Sequence, residues 1–290
     1  MTFPKTLLKA WELFPKKQLG QNFLADPSTA QMIVSRGGIL PEEVIFEIGA
    51  GLGALTIPLS AAAKKVYAVE KDDRLIRLLE TELTLHKAEN VTLLHQNVLS
   101  VNIPAIAAGE KTRLVVFGNL PYNISSQILI KLIENRKHLS RCILMFQKEL
   151  AERLTAKAGI KAYGRLSVML QYCAEIRSLA TVRANLFYPK PKIDSEIIEI
   201  DFSKPSPYEA KDELFFFSVI KAAFSKRRKT LKNALVSSEL GMSQEQVSLA
   251  LSTAGIDPVR RAETLSVGEF VELGEALWKE SEICGFPSSI

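Results

Sequence analysis

Asn119-Leu120-Pro121-Tyr122 sets a side-chain amide, a backbone carbonyl, a proline and an aromatic ring in four consecutive residues. An amino group on an aromatic base is a poor nucleophile because its lone pair is delocalised into the ring. It also carries two N–H donors. The Asn119 side-chain oxygen and the Leu120 backbone carbonyl are acceptors that can satisfy both and favour a tetrahedral nitrogen with a localised lone pair. Pro121 stiffens the turn through its fixed φ, and Tyr122 offers a face for a stacked base. Such chemistry runs on positioning and hydrogen bonding, without a strong general base. A polar turn after a strand is the plain alternative for N-x-P-Y, and its place in the fold decides between them.

A second constellation is Glu47-Ile48-Gly49-Ala50-Gly51-Leu52-Gly53. Glycines after a strand let the backbone turn tightly and approach a ligand closely. Glu70 closes the next apolar run, where an acid bonds ribose hydroxyls in nucleotide-binding sheets. A tight turn with no ligand is the alternative, and the acid at the end of the second strand argues against it. A dinucleotide site wants G-x-G-x-x-G, whereas Gly49, Gly51 and Gly53 alternate. That departs from a pyrophosphate cradle and disfavours an NAD-linked oxidoreductase. The spacing is similar to the E-x-G-x-G-x-G turn of S-adenosylmethionine-dependent methyltransferases, whose cofactor has an adenosine but no phosphate.

The elements that must position these residues alternate along the chain. Asp26-Pro27 starts a helix and Gly37-Gly38 can end it. Short apolar runs at 44–48, 66–69, 91–94, 114–117 and 142–146 read as buried strands. Helices are expected over about 53–63 and from 73, 125 and 148, with a last strand at 197–202. The alternation predicts an α/β fold, a parallel, doubly wound Rossmann-like sheet. In such a sheet the first and fourth strands flank the reversal of order, so Asn119 should lie beside Gly49. Lys204-Pro205-Ser206-Pro207 reads as a linker. Beyond it Phe216, Ile220, Phe224, Leu231 and Leu235 recur at helical spacing, and Ser243/Gln246 and Ser266/Glu269 form capping boxes, the latter with Leu265 and Phe270 as a hydrophobic staple. The expected domains are therefore 1–205, holding both constellations, and a small all-helical 206–290. Lys221, Lys226, Arg227, Arg228, Lys229 and Lys232 are expected to crowd one helix there. A solvated basic face is the alternative to phosphate neutralisation.

The bulk numbers fit. At 290 residues, 47% apolar and 24% charged, the chain has the composition of a globular protein. No run of apolar residues is long enough to span a bilayer, and the N-terminus does not resemble a signal peptide. Cys142, Cys173 and Cys284 fit no metal spacing and suggest reduced thiols in the cytoplasm. His86, His95 and His138 form no cluster, so no metal is expected. A net charge of +5 and a pI of about 9.0 admit nucleic acid as a partner.

Taken together, these motifs resemble the ribosomal RNA adenine dimethyltransferase family nearly end to end, most closely its KsgA (RsmA) type. Lys17-Gln18-Leu19-Gly20-Gln21-Asn22-Phe23-Leu24 is similar to the family's first motif, which makes Asn22 and Leu24 cofactor contacts. Gly49, Gly51 and Glu70 follow from the glycine turn and the ribose acid. Asn119 to Ser125 matches the catalytic motif, which makes Asn119 a cofactor contact as well as a catalytic residue. Phe146 to Glu149 and Tyr163 to Val168 match two further segments. Phe187-Tyr188-Pro189-Lys190-Pro191-Lys192-Ile193-Asp194-Ser195 resembles the loop whose phenylalanine, here Phe187, clamps the target base. The basic run Lys226, Arg227, Arg228 and Lys229 and the segment Arg261 to Leu265 look like the C-terminal signature of the small-subunit type. Asn97 stands where the family usually has an acid that bonds the cofactor's adenine amino group.

The resemblance implies a class I methyltransferase fold and S-adenosyl-L-methionine as cofactor. It implies N6-dimethylation of two adjacent adenosines near the 3′ end of small-subunit (16S) rRNA, within a pre-30S-like particle, by a cytoplasmic monomer. Rival readings are a large-subunit rRNA methyltransferase and a non-catalytic RNA-binding assembly factor. The intact Asn119 motif argues against the second as a sole role.

Overall fold

Val- and Ile-rich runs form the strands, and the computed structural model describes residues 3–204, 206–226 and 228–283. The strands are β1 (Phe23–Leu24), β2 (Val44–Ile48), β3 (Lys65–Glu70), β4 (Val91–His95), β5 (Leu114–Asn119), β6 (Leu139–Gln147), β7 (Glu175–Val182), β8 (Phe187–Tyr188) and β9 (Ser195–Asp201). Seven of them make one sheet in the order β4-β3-β2-β5-β6-β9-β7, and β1 pairs with β8 apart from it. From β4 to β6 the strands are parallel. The order reverses between β2 and β5, which sets the ends of these two strands side by side.

The sheet is not wholly parallel as expected. β9 lies antiparallel to both β6 and β7. β7 was not foreseen, because Glu175, Arg177 and Ser178 break any apolar alternation. It is an edge strand, and charged side chains there deter pairing with other chains. The helix expected from 53 starts later, at Thr56–Ala62, because Gly53 has φ +82.

The sheet belongs to a unit formed by Met1–Ala151 and Glu175–Lys204. Its core includes Ile45, Val66, Val115, Phe117, Ile143 and Ile197, all 1% exposed or less. Each such apolar side chain contributes roughly 1.5–3 kcal/mol by leaving water. Gly118 is required by close approach. A Cβ there would sit 2.9 Å from the Ile48 carbonyl oxygen, where β2 and β5 deliver the glycine turn and Asn119.

The second unit consists of Glu152–Ala174 and the described residues after Lys204. Residues 152–174, expected within the domain 1–205, group instead with the helical unit. Helix Arg165–Cys173 buries Val168, Met169, Leu170 and Tyr172, and the Tyr172 ring lies 4.6 Å from that of Phe216. Both capping boxes form, with Ser243 N–H donating to Gln246 Oε1 at 2.8 Å and Ser266 N–H to Glu269 Oε2 at 2.8 Å. Leu265 and Phe270 are both buried.

The basic run does not lie on one helix. Helix Glu213–Ala223 ends before it, and helix Leu231–Val236 starts after it with Thr230 as its cap. Between Phe224 and Leu231 no apolar side chain is available to anchor a helical turn, and cations three residues apart repel. Lys226, Arg228 and Lys229 are exposed in this connection. Arg227 lies outside the described residues, as do Pro205 of the expected linker and Cys284. Cys142 and Cys173 are buried free thiols.

Candidate functional site

Four parallel strands end along one edge in the order β4, β3, β2, β5, and a cleft runs over those ends. It is lined by Gln96–Leu99 after β4, Glu70 and Lys71 at β3, Ile48, Gly49 and Gly51 after β2, and Asn119–Ile124 after β5. The segment Gln18–Phe23 forms its remaining wall. Asn22, Gly49, Gly51, Glu70, Asn97, Asn119, Leu120, Pro121 and Tyr122 are thus brought together, although the sequence scatters them over a hundred residues.

Asn119 is held by its own amide. Its Nδ2 donates to the Asn22 carbonyl at 2.8 Å, which fixes the flip and leaves Oδ1 as a free acceptor. Among the described residues no hydrogen bond to the Leu120 carbonyl is found. Both acceptors expected at this motif are therefore available. Pro121 is braced by Ser125, whose hydroxyl donates to the Pro121 carbonyl at 3.0 Å. The Tyr122 hydroxyl is 3.1 Å from Ser195 Oγ, and burial pushes the phenol above its ordinary range, so it stays neutral.

Glu70 is 8% exposed. Its Oε2 accepts from Gly51 N–H at 2.9 Å, and its Oε1 accepts from the Lys71 and Asp72 N–H groups at 2.7 and 2.8 Å. Burial raises its pKa against those three bonds. A carboxylate has about four acceptor sites, so one remains for a ligand hydroxyl. Gly51 has φ +56, and a Cβ there would meet the Phe23 ring at 3.3 Å. Asn97 spends its Oδ1 as the cap of a short helix, accepting from Leu99 N–H at 3.1 Å.

Two expected contacts lie elsewhere. Leu24 is 1% exposed and lines a small second cavity with Phe23, Glu47, Gly49, Gly51 and Asn119. Phe187 does not line the cleft. It pairs with Leu24 in the β1–β8 ladder and is 4% exposed within the hydrophobic core, where a large apolar ring gains most by leaving water.

Two buried acids near the cleft go beyond the sequence expectations: Asp72, and Glu47, expected only as the acid that opens the glycine turn. Asp72 accepts from Lys16 Nζ at 3.1 Å, Gln21 Nε2 at 3.0 Å, and Arg74 Nε and Nη2 at 3.1 and 2.9 Å. It thereby ties the wall segment to the start of helix Asp73–Leu85. The only signal in the sequence was an aspartate at a helix start. Glu47, an acid inside an apolar strand, is 1% exposed, and its Oε2 has no hydrogen-bond partner.

These residues suit an adenosine-bearing cation. The cleft offers one buried carboxyl group, Glu70, as a ribose acceptor, and among the described residues Lys71 is the one cationic side chain lining it. No group of three His, Cys, Asp or Glu side chains placed to hold a metal occurs among the described residues. No described helix is long and apolar enough to cross a membrane.

Residues 14–279 match the family described as ribosomal RNA adenine dimethylase. The chain is 51% identical over 278 residues to the Ribosomal RNA small subunit methyltransferase A of Desulforapulum autotrophicum, covering 96% of this chain and 97% of that protein. A protein of the same name from Shouchella clausii is 41% identical over 276 residues, 94% of this chain and 93% of the other. Among solved structures, a dimethyladenosine transferase from Plasmodium falciparum superposes with a TM-score of 0.71 at 24% identity, over 89% of this chain and 98% of its own. The 23S rRNA methyltransferase ErmE does so with a TM-score of 0.66 at 24% identity, over 88% and 99%. At that identity the two structures bear on the fold alone, a Rossmann-like methyltransferase fold.

Proposed function

The chain belongs to the ribosomal RNA adenine dimethylase family, and from that premise we propose that it methylates the N6 amino groups of two adjacent adenosines near the 3′ end of small-subunit (16S) rRNA. S-adenosyl-L-methionine is the cofactor, and when bound it supplies an electrophilic methyl group on a cationic sulfur. The observation that carries the reading is the pinned Asn119 amide, whose Oδ1 is left free beside the free Leu120 carbonyl.

In this reading the four strand ends divide the labour. Asn119 and Leu120 accept the two N–H donors of the target amine, which localises its lone pair. Asn22 keeps Asn119 in the productive flip. Pro121 limits the turn's freedom, and Tyr122, anchored at Ser195, stacks the base for roughly 1–3 kcal/mol. Glu70 gives its remaining acceptor site to a ribose hydroxyl, while Gly49 and Gly51 admit the ligand to the backbone. Asn97, after β4 in the same cleft, would hold the cofactor's adenine. No general base is invoked, and the amine's proton leaves to solvent after the methyl arrives. Phe187 joins the base clamp only through a shift of the β1–β8 ladder, so Tyr122 is the primary platform.

Lys226, Arg227, Arg228 and Lys229 take phosphates of the rRNA. The partner is a pre-30S-like ribosomal particle, met by a single copy of the chain in the cytoplasm. The test is methyl transfer by the purified protein to small subunits lacking the modification, with large subunits as control and nucleoside analysis of the product. N6,N6-dimethyladenosine confined to the small subunit is expected. Transfer to the large subunit, or none, refutes the reading.

A further inference from the structure

Residues 3–14 lie outside the lining of the cleft and lead into its wall. The helix Pro4–Ala10 buries Leu7 and Leu8 against Phe23, Leu52, Leu75 and Leu78. It ends in a Schellman turn. Glu12 N–H donates to the Lys9 carbonyl at 3.2 Å, and Leu13 N–H to the Leu8 carbonyl at 2.8 Å. Glu12 takes the left-handed conformation that this turn requires, with φ 52. Leu13 then packs on the same apolar cluster. The two residues flanking Glu12-Leu13, Trp11 and Phe14, are left in water.

Phe14 is 78% exposed, Phe3 63% and Trp11 38%. Every other Phe, Tyr and Trp among the described residues is buried or half-buried, so the exposed aromatic surface gathers in this one segment. None of the three rings packs on another ring among the described residues. An exposed ring forgoes the gain of burial, and several together mark a surface that another molecule covers. Charge says which kind. Lys5, Lys9 and Lys17 are exposed among and beside the rings, and Glu12 is the only acid in residues 3–21. Phosphates suit the lysines and bases suit the ring faces, which together describe a nucleic-acid strand. A second copy of the chain would set like charges against each other. The segment is continuous with the cleft, since Lys16 bonds Asp72 at 3.1 Å and Gln18 already lines it. Phe14 is at most about 14 Å from Gln18 along the chain.

We propose that Trp11 and Phe14, with Lys5, Lys9 and Lys17 around them, form a stacking platform for single-stranded rRNA beside the target adenosines, and that Phe3 extends it at the far end of the helix. This rests on the rRNA reading above. An adenine inside a helix is stacked and paired, and bringing its amino group to the strand ends costs unstacking. Bases that flank the target and settle on fixed rings offset that cost. Every base has a π-face, so the platform holds a strand open without reading its sequence. The Schellman turn and the buried Leu7, Leu8 and Leu13 keep the rings in place for this.

The experiment has two arms, both on the full chain. Trp11 and Trp278 are its tryptophans, so Trp278→Phe leaves Trp11 as the sole reporter. Single-stranded poly(A) should quench its fluorescence, and the duplex poly(A)·poly(U) should not. In the second arm, methylation of small subunits lacking the modification is followed at steady state. Phe14→Ala should raise KM about fivefold or more, the equivalent of one stacked base, with kcat and S-adenosylhomocysteine affinity unchanged. Phe14→Trp should restore the wild-type KM. Phe14 packs little of its surface on the fold, so the substitution spares the core, and this arm stands by itself should Trp278→Phe not fold. A Trp11 signal indifferent to poly(A), or a Phe14→Ala KM equal to that of the wild type, overturns the proposal and leaves the small-subunit reading intact. Sedimentation in which the wild type dimerises and Phe14→Ala does not assigns the surface to a second copy and overturns it too. A wild type that methylates no small subunit refutes the function proposed above, and quenching of Trp11 by poly(A) would still support the platform.

Discussion

The flip of one amide matters most at the residue scale. An Asn119 turned over would aim two N–H donors at a substrate amine that is itself a donor, and the Asn22 carbonyl prevents this. Asn119→Ala removes an acceptor whose benefit is realised as the amine becomes tetrahedral. Initial rates should fall by about 10²–10³-fold, by analogy with the loss of one preorganised donor from an oxyanion hole. Calorimetric affinity for S-adenosylhomocysteine should change by less than about tenfold, since the loss belongs to the chemical step. Near-normal turnover would contradict the assignment. Asn97 poses the reverse case. Its single oxygen already serves Leu99, so only the second lone pair of that oxygen remains for an adenine amino group. Asn97→Asp adds a charged acceptor, and a charge-assisted bond is the stronger kind. Affinity for S-adenosylhomocysteine should tighten roughly 3- to 10-fold, and weaker binding would show that Asn97 acts otherwise. Residues like these were legible because type and spacing announce them. Glu47 was not, because whether a buried oxygen finds a partner depends on tertiary surroundings.

Elements explain why the wall of the cleft stays in place. Lys16–Leu24 contains no α-helix and only the two-residue strand β1. Asp72 holds this wall by receiving Lys16 and Gln21 while its own carboxyl caps helix Asp73–Leu85. Burial raises the Asp72 pKa, but the Arg74, Gln21 and Lys16 bonds outweigh it and hold the carboxyl well below the usual range. A depressed folded pKa means that the stabilisation is fully present above the unfolded value of about 4 and is lost as pH falls through the folded one. Asp72→Ala should therefore cost about 2 kcal/mol near neutrality, from the lost cap and wall bonds, and should flatten the stability profile below pH 4. Hydrogen exchange of residues 16–24 should rise in the same variant. Unchanged exchange there would show that the wall is held by packing alone. The β1–β8 ladder and β7 escaped the sequence reading for a common reason. Two-residue strands have no periodicity to detect, and an edge strand with exposed Glu175, Arg177 and Ser178 lacks the continuous apolar run that marked β2 to β6.

For the whole molecule, the parallel half of the sheet and the switch between β2 and β5 were legible, because buried parallel strands read as continuous apolar runs. The grouping of Glu152–Ala174 with the helical unit was not, since it depends on contacts such as Tyr172 with Phe216 between residues distant in sequence. The basic run was legible as charge and misread as helix. Its conformation bears on how it would act. A helix would space its cations along one groove, whereas a connection between helices presents Lys226, Arg228 and Lys229 together on an exposed turn, closed by Lys229 N–H donating to the Lys226 carbonyl at 3.0 Å. Such a turn suits phosphates that follow a folded RNA surface, and each phosphate neutralised releases counterions. The triple variant Lys226→Gln, Arg228→Gln, Lys229→Gln should therefore lower the slope of log affinity against log salt by about 2 to 3, at 0.7–0.9 per contact. Small-subunit binding should weaken most at low salt, and S-adenosylhomocysteine affinity should not change. An unaltered slope would move the RNA contact to another surface, whereas a parallel loss at every salt concentration would mean that the turn acts by shape and not by charge.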